Sequence, residues 1–236
     1  MAINLLDKNT INKIAAGEVV DRPSSVVKEL VENAIDAGAT AITVEIKDGG
    51  ISLIRITDNG CGIEKDQVRK AFLRHATSKL HTIDDLLDIG SLGFRGEALS
   101  SIAAIAQVEL ISKPPEAMLG ISYQIEDGEE KSLTQIGAPD GTTILVRNLF
   151  YHVPARKKFL KTAATEGNYI NQLMENMAML RPDISMRFIN GGQNKLYTSG
   201  NGRLKDLIYT IYGREISSNV LEINYECPLF AVTGYI

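Results

Sequence analysis

The chain has 236 residues, 44% hydrophobic and 23% charged, the proportions of a globular protein with a sizeable core. A net charge of −4 and a pI near 5.5 argue against a broadly basic nucleic-acid-binding surface, so any such contact must be local or depend on a partner. No apolar run approaches the roughly 18 residues that cross a bilayer, and the polar, early-acidic start MAINLLDKNTINKIAAGE does not read as a secretory signal.

A short helical pattern around Ile11, Ile14 and Ala15 ends at Gly17. The organising helix follows, with Pro23 and Ser24 or Ser25 suited to its start and Gly38 to its stop. Val27, Leu30, Val31 and Ala34 share one stripe of that helix, while Glu29, Asn33 and Asp36 share a second, roughly opposite. A carboxylate one turn before a carboxamide suits water activation beside Mg²⁺, which takes one or two hard oxygens from protein and the rest from water and phosphate. With Lys28 and Glu32 alongside, the alternative is a solvated face.

Residues 41–47 alternate as a strand, residues 51–57 form a second, and Asp48-Gly49-Gly50 reads as the hairpin turn between them. The second strand runs into Asp58-Asn59-Gly60-Cys61-Gly62-Ile63, an acid followed by two glycines two residues apart. Such a segment makes a turn. It also lets a flat ring approach the backbone while Asp58 accepts a hydrogen bond from an exocyclic amine. Cys61 and Cys227 form neither a disulfide framework nor a zinc spacing, which points to a reducing, cytosolic compartment. His75, His81 and His152 are scattered, without metal-ligand spacing.

Residues 64–75 predict a helix with Val68, Ala71 and Phe72 inward. Ala76-Thr77-Ser78-Lys79 and a helical piece over 83–88 lead to Leu92-Gly93-Phe94-Arg95-Gly96-Glu97-Ala98-Leu99, which opens a small-residue helix over 100–106. Glycines directly before a helix start offer backbone N–H groups to an anion, although any lid or linker has the same composition. There is no P-loop and no Rossmann fingerprint.

The stretch 108–149 reads as strands, with a turn at Asp127-Gly128, and Thr143 lies in a β-branched run where threonine is ordinary. VPARKKFLK, residues 153–161, is a basic cluster at helical spacing, either a solvated face or a contact for DNA phosphates. An amphipathic helix over 165–180 stops at Arg181-Pro182, and 184–198 is a hairpin across Asn190-Gly191-Gly192. Gly200-Asn201-Gly202 is the linker candidate before a helix over 204–212 and strands over 219–225 and 229–236, the last reading as part of an unfinished domain.

Taken in order, ELVENAIDAGAT, DNGCGI, HATSK, GSLGFRGEALSSI and GTTILVRNLFYHVPARKKFL closely resemble the motifs of the MutL family of DNA mismatch-repair ATPases. AAGEVVDRPSSVVKEL is similar to the same family, and the resemblance covers about residues 1–200. The E-x-x-x-N and D-x-G-x-G patterns are shared with gyrase-like, heat-shock-chaperone-like and histidine-kinase-like ATP sites, whereas TSK and GFRGEAL point to MutL itself. The resemblance implies an α+β two-layer sandwich, helices on one face of a mixed, mostly antiparallel sheet (the GHKL or Bergerat ATP-binding fold), over residues 1–200. The beginning of a second α/β domain, S5-like and transducing, would occupy 201–236. Glu29 would be the general base for the attacking water, Asn33 an oxygen ligand of Mg²⁺, and Asp36, helping to hold that helix face, would belong with Ala37 to the cofactor-binding residues. Asp58 would accept from the adenine amine, with Gly62 and Ile63 admitting the ring and Thr143 backing the contact. Thr77, Ser78 and Lys79 would belong to the site and the base of a lid, and Leu92, Gly93, Phe94, Arg95, Gly96, Glu97, Ala98 and Leu99 would wrap the phosphates.

The activity so implied is slow hydrolysis of ATP, with lid ordering and pairing of two N-terminal regions as a switch. MutS bound to mismatched DNA would be the partner and duplex DNA a weak, salt-dependent ligand, in the bacterial cytoplasm at the nucleoid. In that family a lysine of the second domain reaches the γ-phosphate, beyond Ile236, so the alternative is a nucleotide-binding interaction module with no significant hydrolysis in this chain. A histidine kinase would need a phosphoacceptor helix that is not recognisable here, and topoisomerase subunits lack the TSK and GFRGEAL combination.

Overall fold

The computed structural model describes residue 16, residues 20–77 and residues 96–236. Among these residues the frame is an eight-stranded sheet of β1 (Ala41–Lys47), β2 (Leu53–Asp58), β3 (Gln107–Lys113), β4 (Gly120–Glu126), β5 (Glu129–Ile136), β6 (Gly141–Arg147), β7 (Ser185–Asn190) and β8 (Gln193–Tyr197). Its order is β5-β4-β3-β6-β2-β1-β7-β8, and only the β1–β7 pair is parallel. The helices are α1 (Pro23–Asp36), α2 (Val68–Ala71), α3 (Ala98–Ala103), α4 (Pro154–Phe159), α5 (Ala163–Leu180) and α6 (Leu204–Asn219). The α+β sandwich expected from the sequence is therefore the one observed.

Period-two alternation sends Ile42, Val44 and Ile46 of β1, Ile54 and Ile56 of β2, Val108 and Leu110 of β3, and Ile144 and Val146 of β6 into the core. There α1 packs on both α3 and α5, and all three helices pack on the sheet. The other face carries charge, with Glu45 paired to Arg55 and Glu109 to Arg147. The helical patterns around Ile11 and over 83–88 lie outside the described residues.

Pro23 sits in the first turn of α1 after an extended Arg22, with no side-chain cap. Its apolar stripe is buried as the spacing predicts, but Val26 and Ile35 join it and Glu32 is only 7% exposed. Lys28 meets the Glu32 carboxylate at 2.7 Å, so this neighbour is a buried ion-paired group rather than part of a solvated face. The Thr162 hydroxyl accepts from Thr165 N–H at 3.2 Å and caps α5, which starts earlier than the amphipathic pattern indicates.

Three further differences have local causes. The β1–β2 connection is a 3₁₀ turn, Asp48–Gly50, and β2 begins at Leu53 rather than Ile51. Gly49 (φ +64°) packs so tightly on α5 that a Cβ there would lie 2.5 Å from the Ala163 carbonyl oxygen. Residues 64–75 are helical only over α2, because Phe72 turns onto Tyr123 (ring centroids 5.2 Å apart) and His75 takes φ +60°. α6 continues to Asn219 across a break at Gly213, and among the described residues β9 (Glu222–Glu226) and β10 (Ala231–Tyr235) pair only with each other. No described helix is long and apolar enough to cross a membrane.

Candidate functional site

At the end of β2 the chain turns against the C-terminal end of α1. Asp58 Oδ1 accepts from the Gly60 N–H at 2.8 Å and from the Thr142 N–H of β6 at 3.2 Å. Burial outweighs these two bonds and holds the Asp58 carboxyl above its ordinary value of 3.8. Asn59 serves the scaffold instead. Its Oδ1 accepts from the N–H groups of Thr40 and Ala41, both at 2.9 Å, and its Nδ2 donates to Thr40 Oγ1 at 2.8 Å. Cys61 N–H donates to the Ala37 carbonyl at 3.0 Å, and a Cβ on Gly60 would lie 2.8 Å from that same oxygen. Asp58 is thereby fixed beside the end of α1, along which Glu29, Asn33 and Asp36 lie half-buried. At 1.5 Å rise per residue this polar stripe is about 10 Å long.

Strand register decides which β6 threonine meets the acid. Asp58 faces Thr142 across the β2–β6 pair and Thr142 faces Ser112 across the β6–β3 pair. Below that polar rung lie two apolar ones, Ile56–Ile144–Leu110 and Ile54–Val146–Val108, all on the helix-covered face. Thr143 pairs with Thr57 on the opposite face and donates its hydroxyl to Thr57 Oγ1 at 3.0 Å. The position expected for Thr143 beside Asp58 therefore belongs to Thr142, because one step along a strand reverses the face. Counting by twos from the buried isoleucines and valines of each strand reaches Thr142 and Ser112, a signal the β-branched composition around them obscures.

Gly62 lies beside this rung, but its freedom serves packing. At φ +70° it backs onto the β3–β4 connection, where a Cβ would lie 2.7 Å from the carbonyl carbon and oxygen of Lys113. Protein backbone occupies the space that a side chain at this position would need. Ile63 N–H donates to Ser112 Oγ at 2.8 Å.

The second group of candidate residues is only partly described: Thr77, Gly96, Glu97, Ala98 and Leu99 are, whereas Ser78, Lys79, Leu92, Gly93, Phe94 and Arg95 lie outside the described residues. The flanks of that interval meet. Gly96 (φ +61°) abuts the Ala76 carbonyl, 2.6 Å from where a Cβ would be, and His75 Nδ1 lies 3.0 Å from Glu97 Oε1. Thr77 and residues 96–99 are thus gathered together, and α3, which starts there, packs against α1. Among the described residues no three His, Cys, Asp or Glu side chains cluster to hold a metal. Mg²⁺ needs only one or two protein oxygens, and the carboxamide of Asn33 beside the carboxylate of Glu29 is such a donor set. On α4, Lys157, Lys158 and Phe159 are exposed.

Residues 21–144, a little over half of the chain, match the model of the histidine kinase-, DNA gyrase B- and HSP90-like ATPases. The chain belongs to that family. It is 65% identical over 234 residues to the DNA mismatch repair protein MutL of Agathobacter rectalis, covering 99% of this chain and 36% of the relative. MutL of Clostridium beijerinckii is 50% identical, with 99% and 35% covered. The chain thus spans little more than a third of the length of these relatives. The Aquifex aeolicus MutL ATPase domain complexed with ADP superposes with a TM-score of 0.70 at 28% identity, over 88% of this chain and 73% of that one. The N-terminal domain of a DNA repair protein reaches 0.80 at 28% identity, over 98% and 73%.

Proposed function

We propose that this chain is the nucleotide-binding region of a MutL-type DNA mismatch repair protein, which binds ATP with Mg²⁺ and hydrolyses it slowly to ADP and phosphate. The observation that carries the reading is the half-buried carboxyl of Asp58 at the end of the Glu29–Asn33–Asp36 stripe, in a member of an ATPase family. An ionised carboxylate only accepts hydrogen bonds, so Asp58 selects a base with an amine over one with a carbonyl at the same edge. Ile63 and Gly62 flank the ring, and Asp36 and Ala37 edge the nucleotide. Glu29, about 10 Å back along the helix, orients the attacking water and takes its proton. Asn33 gives an oxygen to Mg²⁺, which when bound neutralises charge on the phosphates. Thr77, Ser78 and Lys79, with the backbone of residues 92–99, receive the phosphates.

In the same reading, lid closure and pairing of two copies on ATP form a switch that couples mismatch recognition by a MutS-type partner to later repair. Residues 201–236 begin the second domain. Duplex DNA is a weak ligand, with Lys157 and Lys158 among the candidate phosphate contacts, so its binding weakens steeply with salt. The bacterial cytoplasm is the expected compartment.

Two measurements test the core of the proposal. A non-hydrolysable ATP analogue with Mg²⁺, at about a hundred times its Kd, adds roughly 2.7 kcal/mol and raises the unfolding temperature by several degrees. Phosphate release above that of Glu29→Ala is the sign of hydrolysis. A thermal shift without phosphate release favours the interaction-module alternative, and no shift removes the nucleotide reading.

A further inference from the structure

Ser112 is the third member of the polar rung and its most connected. It is 1% exposed and bonds to segments 49 and about 30 residues away in the chain. Its hydroxyl donates to the Gly141 carbonyl at 3.1 Å and accepts from Ile63 N–H at 2.8 Å, leaving a lone pair for the Thr142 hydroxyl at 2.9 Å. One oxygen therefore sets the Thr142 rotor and pins the backbone at Ile63. Thr142 is also the residue whose N–H holds Asp58 Oδ1.

The Ile63 side of this arrangement packs on the core but is open on one flank. A cavity of about 270 Å³ opens against Ile63 and Ser112, bounded by Pro114, Met118 and Ile121. Without the Ser112 bond the backbone at Ile63 has room to move. The plainer role of a buried serine, tying β3 to β6, predicts a loss of stability and nothing selective.

We propose that Ser112 is a positioning residue for base recognition: by fixing Thr142 and Ile63 around Asp58 it determines how strongly the site discriminates adenine from guanine nucleotides. This rests on the proposed nucleotide site. No covalent step is involved, and Ser112 acts through Thr142, Ile63 and Asp58 rather than by touching the base.

The test is calorimetric affinity for ADP and GDP in the wild-type chain, Ser112→Ala, Thr142→Val and the double variant. The ADP-over-GDP ratio is expected to fall about tenfold in Ser112→Ala, the order of one hydrogen bond to a charged site, with GDP affinity nearly unchanged. Thr142→Val leaves the Ser112 bonds to Gly141 and Ile63 in place and lowers the ratio as well, and the double variant falls by less than the two effects combined. Equal weakening of both nucleotides in Ser112→Ala, with the wild-type preference for ADP intact, overturns this proposal alone. A wild-type chain that binds neither nucleotide overturns it together with the nucleotide site. If Ser112→Ala does not fold, an unchanged ratio in Thr142→Val is the overturning result.

Discussion

Asp58 shows how one residue is drawn between stability and binding. Burial raises its carboxyl, so the folded state favours the protonated form. Its contribution to stability is therefore greatest below its ordinary 3.8 and is lost as pH rises through the elevated value. Binding of an adenine amine has the opposite sign, because the carboxylate is the stronger acceptor and a protonated carboxyl presents an O–H as well, so affinity should weaken as pH falls through that elevated value. ADP titrations across acid pH check this, and an affinity that stays level down to the ordinary aspartate range contradicts it. Asp58→Asn should fold at least as stably at neutral pH, since its Oδ1 can still accept from Gly60 and Thr142. Adenine nucleotides should bind it about 10–100-fold more weakly, because an amide N–H then meets the amine. Melting temperature and ADP affinity, measured side by side, separate the two effects.

At the scale of the element, pleat and register carry the site. The two threonines of β6 are adjacent in sequence and opposite in space. Thr143→Val removes the exposed-face bond to Thr57 and should cost about 1 kcal/mol or less in denaturant unfolding, with ADP affinity unchanged. Thr142→Val should change ADP affinity instead. The reverse assignment of effects would mean that β2 and β6 pair one residue out of the register observed. The α1 helix makes the same point on a 3.6-residue period. Its apolar stripe was visible in Val27, Leu30, Val31 and Ala34, and the burial of Glu32 was not, because the i,i+4 pair to Lys28 is local whereas burial depends on what packs over the helix.

The whole molecule divides into a well-braced sheet and a lightly held end. Around β1, β2, β3 and β6 the core is continuous, whereas among the described residues β9 and β10 pair only with each other and leave Leu221, Leu229 and Val232 exposed. A two-stranded sheet with little to bury is marginal in water. Amide hydrogen exchange in β9 and β10 should therefore run orders of magnitude faster than at Val44, Ile56 and Ile144. Equal protection would show that the end of the chain shares the stability of the main sheet.

Much of this protein could be read without coordinates. Hydrophobic periodicity located most of the strands and the long helices, and the acid–glycine run marked the end of β2. Ordered motifs indicated the ATPase family, since each is short but their sequence is not accidental. These are local signals, carried by residues within one or two turns of each other. Tertiary structure alone decided that residues 64–75 break around Phe72 and His75, that Gly62 yields to the Lys113 backbone, and that Thr142 and Ser112, rather than Thr143, form the rung with Asp58. Each of those outcomes depends on a contact with a remote strand. Parity within a strand is written in its own residues, but which strand lies beside it, and in what register, is settled only when the sheet closes.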